Sequence, residues 1–211
     1  MIKNIIFDFE GVVFTRKLQI LFKNFTNNEK DIELLANTIY KSKEWLMLDN
    51  GTISREDAVK ILEEKLPERL KSTCKDIIYH FQEYQTLNDD ICKVIIQLKE
   101  KGYKIYALSN THVSVYEDMQ DRYIGKYFDG YIISAIEKLM KPNKEIYLRL
   151  FEKFDLKPEE CFFIDDREEN VAAGEKLGMA GHVLNREKYG VEKLLEDFEK
   201  YGIKWNLYKM S

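Results

Sequence analysis

Four short stretches of this 211-residue chain carry residue types that could do chemistry together. Asp8 closes an apolar run, Ile5-Ile6-Phe7, and Glu10 follows two residues later, just ahead of Gly11. Ser109-Asn110-Thr111 closes the run that begins at Lys104, Lys141 stands next to Pro142, and Asp165-Asp166 closes Cys161-Phe162-Phe163-Ile164. The set suits phosphoryl transfer. A carboxylate such as Asp8 can attack phosphorus and form an aspartyl phosphate, which divides one hard displacement into two easier ones. Attacker and substrate are both anionic, so several negative charges must be neutralised. Mg²⁺ is a hard cation that takes oxygen ligands in an octahedron. Asp8 and Asp166 would give one ligand each, and a backbone carbonyl in the turn after Asp8 another. Lys141 and the Ser109 hydroxyl would hold the non-bridging phosphate oxygens, with backbone N–H groups at the start of the next helix.

Taken singly, these residues say less. Ser109 alone reads as a loop hydroxyl bonded to its own backbone, and Lys141 alone as a solvated lysine. The adjacent pair Asp165-Asp166 is harder to dismiss, because two carboxylates after an apolar strand repel unless a cation or donors compensate them. His112 reads as a histidine in a loop at the lip of the site, without a role of its own. His80 and His182 have no motif around them, and Trp45 and Leu46 read as core packing.

The surrounding pattern shows how such residues meet. Short apolar runs ending on polar residues read as buried strands of a parallel sheet, which binds ligands at the carboxyl ends of its strands. The expected strands are Ile5 to Asp8, Lys104 to Ser109, Tyr131 to Ser134, Cys161 to Asp165 and Ala180 to Leu184. Helical patterns separate them. Asn88 caps one that Gly102 ends; Val113 to Arg122, Asn143 to Phe154, Glu168 to Leu177 and a helix from about Val191 come after it. Between the first two strands the pattern is helical throughout, after a polar exit at Phe14 to Lys17. Ile32, Leu35, Ala36, Ile39 and Tyr40 share one face of a helix that starts near Asn28. Asp49-Asn50-Gly51-Thr52 is a turn. Ser54 caps the next helix, with Asp57 at the reciprocal capping-box position and Pro67 at its end, and another runs from Leu70 to Tyr84.

Composition bounds the class. Hydrophobic residues make up 45% and charged residues 33%, as in an ordinary globular protein, and the net charge of −4 gives no reason to expect nucleic acid or an anionic membrane. No apolar run is long enough to span a bilayer, and Asp8 and Glu10 interrupt the first one too early for a secretory signal. Three widely spaced cysteines (Cys74, Cys92 and Cys161) form neither a disulfide framework nor a zinc site, so a cytoplasmic location is expected.

The ordered stretches Phe7 to Val12, Leu108 to Thr111, Lys141-Pro142 and Phe163 to Asp166 resemble the four motifs of the haloacid dehalogenase superfamily. The resemblance covers nearly the whole chain. It implies a Rossmann-like α/β core, with helices on both faces of a parallel sheet, over residues 1–14 and 88–211, and an inserted all-helical cap over 15–87. Asp49 to Ser54, Ile146-Tyr147 and Asn170 look closest to bacterial phosphatases of the α-D-glucose-1-phosphate type. By resemblance Asp8 is the nucleophile and a metal ligand. The residue at position 10 lends its carbonyl to Mg²⁺, Asp166 binds the metal directly, and Asp165 supports it. Ser109 and Lys141 bind phosphate, and Asn110 adds a contact. The implied activity is Mg²⁺-dependent hydrolysis of a small phosphate ester, such as a sugar phosphate; a phosphomutase and a catalytically degenerate binding protein are the alternatives. Glu10 is the departure from the family pattern, which has the shorter Asp there as general acid and base. Three outcomes stay open. Glu10 serves as the acid–base with shifted geometry, is idle, or marks a protein that keeps the metal site only for binding.

Overall fold

The computed structural model describes residues 1–15, 18–185 and 190–205. β1 (Asn4–Phe7) lies at the centre of a five-stranded sheet. β2 (Lys104–Ser109) and β3 (Gly130–Ile133) flank it on one side, β4 (Cys161–Asp165) and β5 (Ala180–Val183) on the other. Every pairing is parallel, with Phe7 beside both Ala107 and Ile164, Ser109 beside Ile133, and Asp165 beside Val183. The carboxyl ends of β1, β2 and β4 therefore lie side by side, with Asp8 between the other two.

Side chains alternate across a strand, and here both faces are covered, which explains the unbroken apolar runs. Ile5, Phe7, Ile105, Ala107, Phe162 and Ile164 enter one core, and Ile6, Tyr106, Leu108, Ile132 and Phe163 enter the other.

Between β1 and β2 the described chain is helical apart from single-residue bridges at Phe14. It runs through α1 (Leu18–Lys23), α2 (Glu29–Leu35), a π-helical turn (Ala36–Tyr40), α3 (Lys43–Asp49), α4 (Arg55–Glu63) and α5 (Lys71–His80) before α6 (Asp89–Glu100). α7 (Val113–Asp121) joins β2 to β3. α8 (Ser134–Glu137) and α9 (Lys144–Phe154) lead to β4, α10 (Glu168–Glu175) joins β4 to β5, and a helix at Glu192–Lys200 closes the described chain. Leu194, Leu195 and Phe198 of that helix pack with Ile91 and Ile95 of α6 on the first face, while Ile146, Tyr147 and Leu150 of α9 cover the second.

Ser54 and Asn88 cap as the sequence predicts, and Asn28, where a helix is expected to start, caps as well. Asn28 accepts from Lys30 N and Asp31 N, Ser54 from Asp57 N, and Asn88 from Ile91 N. Asp57 turns its carboxylate to the Ser54 hydroxyl at 2.9 Å. Asn143 occupies the N-cap position of α9 without a side-chain capping bond.

Other expectations change. The helix from Asn28 widens into the π turn Ala36–Tyr40, and α3 precedes the Asp49 turn as a separate helix that the helical pattern does not set apart. Its signal is the Ser42 hydroxyl, which accepts from Trp45 N at 3.0 Å. The stretch Leu70 to Tyr84 breaks after His80 into a 3₁₀ turn. Phe14 is no part of a polar exit. It is buried, edge-on to Phe9 and beneath the Arg122 guanidinium. Arg16 and Lys17 of that exit lie outside the described residues.

Candidate active site

Asp8 leaves β1 at the point where the backbone turns back. Its own N–H still bonds Ile164 O at 2.9 Å, while Phe14 N bonds Phe9 O at 2.8 Å to close the loop. Gly11 in that loop has φ +81°, a conformation side chains rarely adopt, and a Cβ there would lie 2.2 Å from Asp166 Oδ2. Glycine thus lets the first loop and the Asp166 carboxylate come together.

Lys141 bridges the strands. Its buried ammonium sits 2.9 Å from Asp8 Oδ1, 2.6 Å from Asp165 Oδ2 and 2.8 Å from Leu108 O. Asp165 is fully buried and its carboxylate is already well supplied. Asn170 Nδ2 donates to both oxygens at 3.0 Å, and Arg167 N donates to Oδ1 at 2.9 Å. Asn110 lines the cavity of the site and also meets the Lys141 segment. Its side chain pairs with the Lys141 backbone in both directions at 2.9 Å, donating to the carbonyl and accepting from the N–H, so it clamps the Lys141 segment. Ser109 Oγ is buried and has no hydrogen-bond partner among the described residues. Such an orphan calls for a ligand or another explanation.

The charges explain one another. Burial pushes the Asp8 carboxyl up to about 7, against the pull of Lys141, and Asp165 and Asp166 add repulsion. Burial would lower the Lys141 ammonium, but Asp8 and Asp165 outweigh it and hold it above its ordinary value. Burial would raise Asp165, but Lys141, Arg167 N and Asn170 bring it below the usual carboxylate range. Asp8, Asp165 and Asp166 each offer an oxygen within 4.8 Å of the others. Three carboxylates face one ammonium, and the strained Asp8 reports the imbalance. A hard divalent cation would correct it, and the all-oxygen donor set fits Mg²⁺.

Asp8 and Lys141 of this cluster line a cavity of about 360 Å³, together with Asn110, Arg167 and Asn170 from the sheet side. The helical segment supplies the opposite wall with Tyr40, Lys41, Ser42, Trp45, Leu46 and Asp49. Glu10 lies between the two, and its Oε1 accepts from Tyr40 OH at 2.7 Å. Of the wall residues, Leu46 is exposed at the cavity rather than packed in the core as its sequence context suggests, and no local motif marks Tyr40 or Lys41 as lining. Trp45 both lines the cavity and packs against Tyr40, Phe81 and His112. His112 is not at the lip. It is buried, with Nε2 3.1 Å from Asp49 Oδ1, and burial raises the Asp49 carboxyl despite that histidine.

Over 183 residues the chain is 27% identical to the sesquiterpene phosphatase astK of Aspergillus oryzae, covering 85% of this chain and 88% of that protein. It is 26% identical to the D-ribitol-5-phosphate phosphatase of Bacteroides thetaiotaomicron, over 84% of this chain and 89% of the relative. The fold matches a HAD family enzyme from Bacteroides thetaiotaomicron, solved with magnesium and inorganic phosphate. The TM-score is 0.70 at 23% identity, over 88% of this chain and 95% of that one. The L-2-haloacid dehalogenase of Xanthobacter autotrophicus shares the fold at TM-score 0.64 and 17% identity, over 100% and 92% of the two chains. A family model described as haloacid dehalogenase-like hydrolase matches residues 2–178, and the chain belongs to that family.

Proposed function

We propose that this chain is a Mg²⁺-dependent phosphatase that transfers the phosphoryl group of a small phosphorylated metabolite to Asp8 and then to water. The observation that carries this reading is the buried triangle of Asp8, Lys141 and Asp165, with Asp166 beside it, of which Asp8 and Lys141 line the cavity. The phosphatase names of two relatives that align along most of their length support it.

In the first step an Asp8 oxygen attacks phosphorus, the ester P–O bond breaks, and its electron pair leaves with the ester oxygen. Glu10 gives that oxygen a proton. In the second step Glu10 takes a proton from a water whose oxygen attacks the aspartyl phosphate, releasing inorganic phosphate and restoring Asp8. Lys141, pinned by Asp165 and Leu108 O, sits where the phosphoryl oxygens gather, and the Ser109 hydroxyl donates to one of them. Asp8, Asp166 and the Glu10 carbonyl would hold Mg²⁺, with Asp165 behind them, and the cation would neutralise charge on the phosphoryl group. The helical segment, residues 15–87, acts as a cap that sheds water and selects the substrate through the Trp45 to Asp49 wall.

A sugar phosphate fits the narrower likeness noted in the sequence. The two relatives' names point to a terpenoid and to a sugar-alcohol substrate, so the wall residues set the choice. Dehalogenation is disfavoured because three clustered carboxylates beside one lysine suit a cation and a phosphate better than a lone organic halide. Buried free thiols at Cys74, Cys92 and Cys161 fit the cytoplasm. No helix among the described residues is long and apolar enough to cross a membrane.

The test is phosphate release from p-nitrophenyl phosphate and a panel of phosphorylated sugars, polyols and prenols. Wild type should turn over with Mg²⁺ and stop with EDTA, and Asp8→Asn should be inactive. Equal activity in wild type and Asp8→Asn on every ester would overturn the reading.

A further inference from the structure

Glu10 carries one methylene more than the Asp expected at its position, so its carboxyl reaches about 1.5 Å further from the backbone. That extra reach has a partner. Tyr40 OH donates to Glu10 Oε1 at 2.7 Å across the cavity, from the helical wall to the first loop of the sheet. Tyr40 gets there through the π turn Ala36–Tyr40, in which Lys41 N bonds Ala36 O five residues back at 3.3 Å. An added residue rotates the remainder of a helix by roughly 100° around its axis, and such turns gather at functional sites. Here Ile32, Leu35 and Ile39 stay in the core while Tyr40 turns to the cavity. The phenol ring is braced from behind. Trp45 lies 5.2 Å from it, and Phe81 and His112 pack against Trp45 at 4.8 and 4.5 Å.

We propose that Tyr40 is a positioning residue that holds the Glu10 carboxyl where it meets the leaving oxygen of the substrate, compensating for the longer side chain. The proposal rests on the phosphatase reading above. Holding Oε1 fixes the whole carboxyl group. When the ester P–O bond breaks, the electron pair stays on the leaving oxygen, the proton comes from Glu10, and Tyr40 keeps its own. Because Tyr40 belongs to the helical segment and Glu10 to the sheet, acid–base competence depends on the two being docked.

Leaving groups separate this role from a merely structural one. p-Nitrophenolate departs without a proton, whereas an alkoxide needs one, so the ratio of kcat/KM for a primary alkyl phosphate to that for p-nitrophenyl phosphate reads the acid. Tyr40→Phe should lower that ratio about tenfold or more. Glu10→Gln should lower it at least as far, and adding Tyr40→Phe to Glu10→Gln should lower it no further. Glu10→Asp is an independent arm: too short to keep Tyr40, it should lower the ratio, and the ratio should then ignore Tyr40→Phe. An unchanged ratio in Tyr40→Phe, a fall that persists in the Glu10→Gln background, or a raised ratio in Glu10→Asp overturns the role of Tyr40 while leaving Asp8-dependent turnover intact. Absence of Asp8-dependent turnover on both esters overturns the phosphatase reading and this proposal together.

Discussion

Asn110 shows how much one amide can decide at the residue scale. By type it suits a phosphate cradle, and each of its polar ends also bonds the Lys141 backbone. Its work is to hold the segment that delivers the ammonium to Asp8. Asn110→Ala should therefore act on rate through misplacement of Lys141, cutting kcat/KM about 10- to 10²-fold, read by steady-state kinetics on p-nitrophenyl phosphate. Asp8→Asn should cost about 10³-fold or more, because a neutral amide replaces the nucleophilic carboxylate. Asp8, Ser109, Lys141 and the acidic pair were legible in sequence because each closes a strand or stands next to a helix start. The partners of Asn110 were not, since they depend on a contact 31 residues away. His112 was misjudged for the same reason: its aromatic surroundings come from α3 and the Phe81 turn, which no local pattern joins to it.

At the scale of elements, the docking of the helical segment on the sheet is the feature to test. The Asp49 turn that ends α3 meets α8. Ser134 Oγ donates to Asp49 O, and Gly51, at φ +70°, brings its backbone so close that a Cβ would lie 2.1 Å from Ala135 O. Gly51→Ala meets both a strained conformation and a backbone clash, so the contact must open. The expected loss is about 1–3 kcal/mol in urea unfolding, with KM rising as the wall carrying Trp45 and Asp49 shifts. Sequence patterning read the alternation of strand and helix in the sheet, because a parallel sheet forces apolar runs and crossover helices. It read the turn at Asp49 to Thr52 from residue types alone. It passed over α3 and the π turn because Lys41 to Glu44 is polar and the packing that stabilises both comes from Phe81 and the core.

For the whole molecule, the buried carboxylates at Asp8 and Asp165 gather unfavourable charge that pH and Mg²⁺ should relieve. The folded Asp8 carboxyl lies at about 7 against an ordinary 3.8, so the fold favours its protonated form. That contribution to stability is complete below about pH 4 and is lost as pH rises through 7. In EDTA, Asp8→Asn should therefore be more stable than wild type at pH 8, with the gap closing toward pH 4, as urea titrations at a series of pH values would show. Mg²⁺ needs the ionised carboxylates, so at a fixed concentration it should raise the Tm of wild type more at pH 8 than at pH 6.

The central claim is that phosphoryl groups pass through Asp8. The wild-type protein, mixed with Mg²⁺ and a phosphate ester and quenched in acid during turnover, should carry one phosphoryl group on the peptide that contains Asp8, as read by mass spectrometry. The label should be absent from Asp8→Asn. Steady turnover with the label on another residue, or unchanged turnover by Asp8→Asn, would contradict the account.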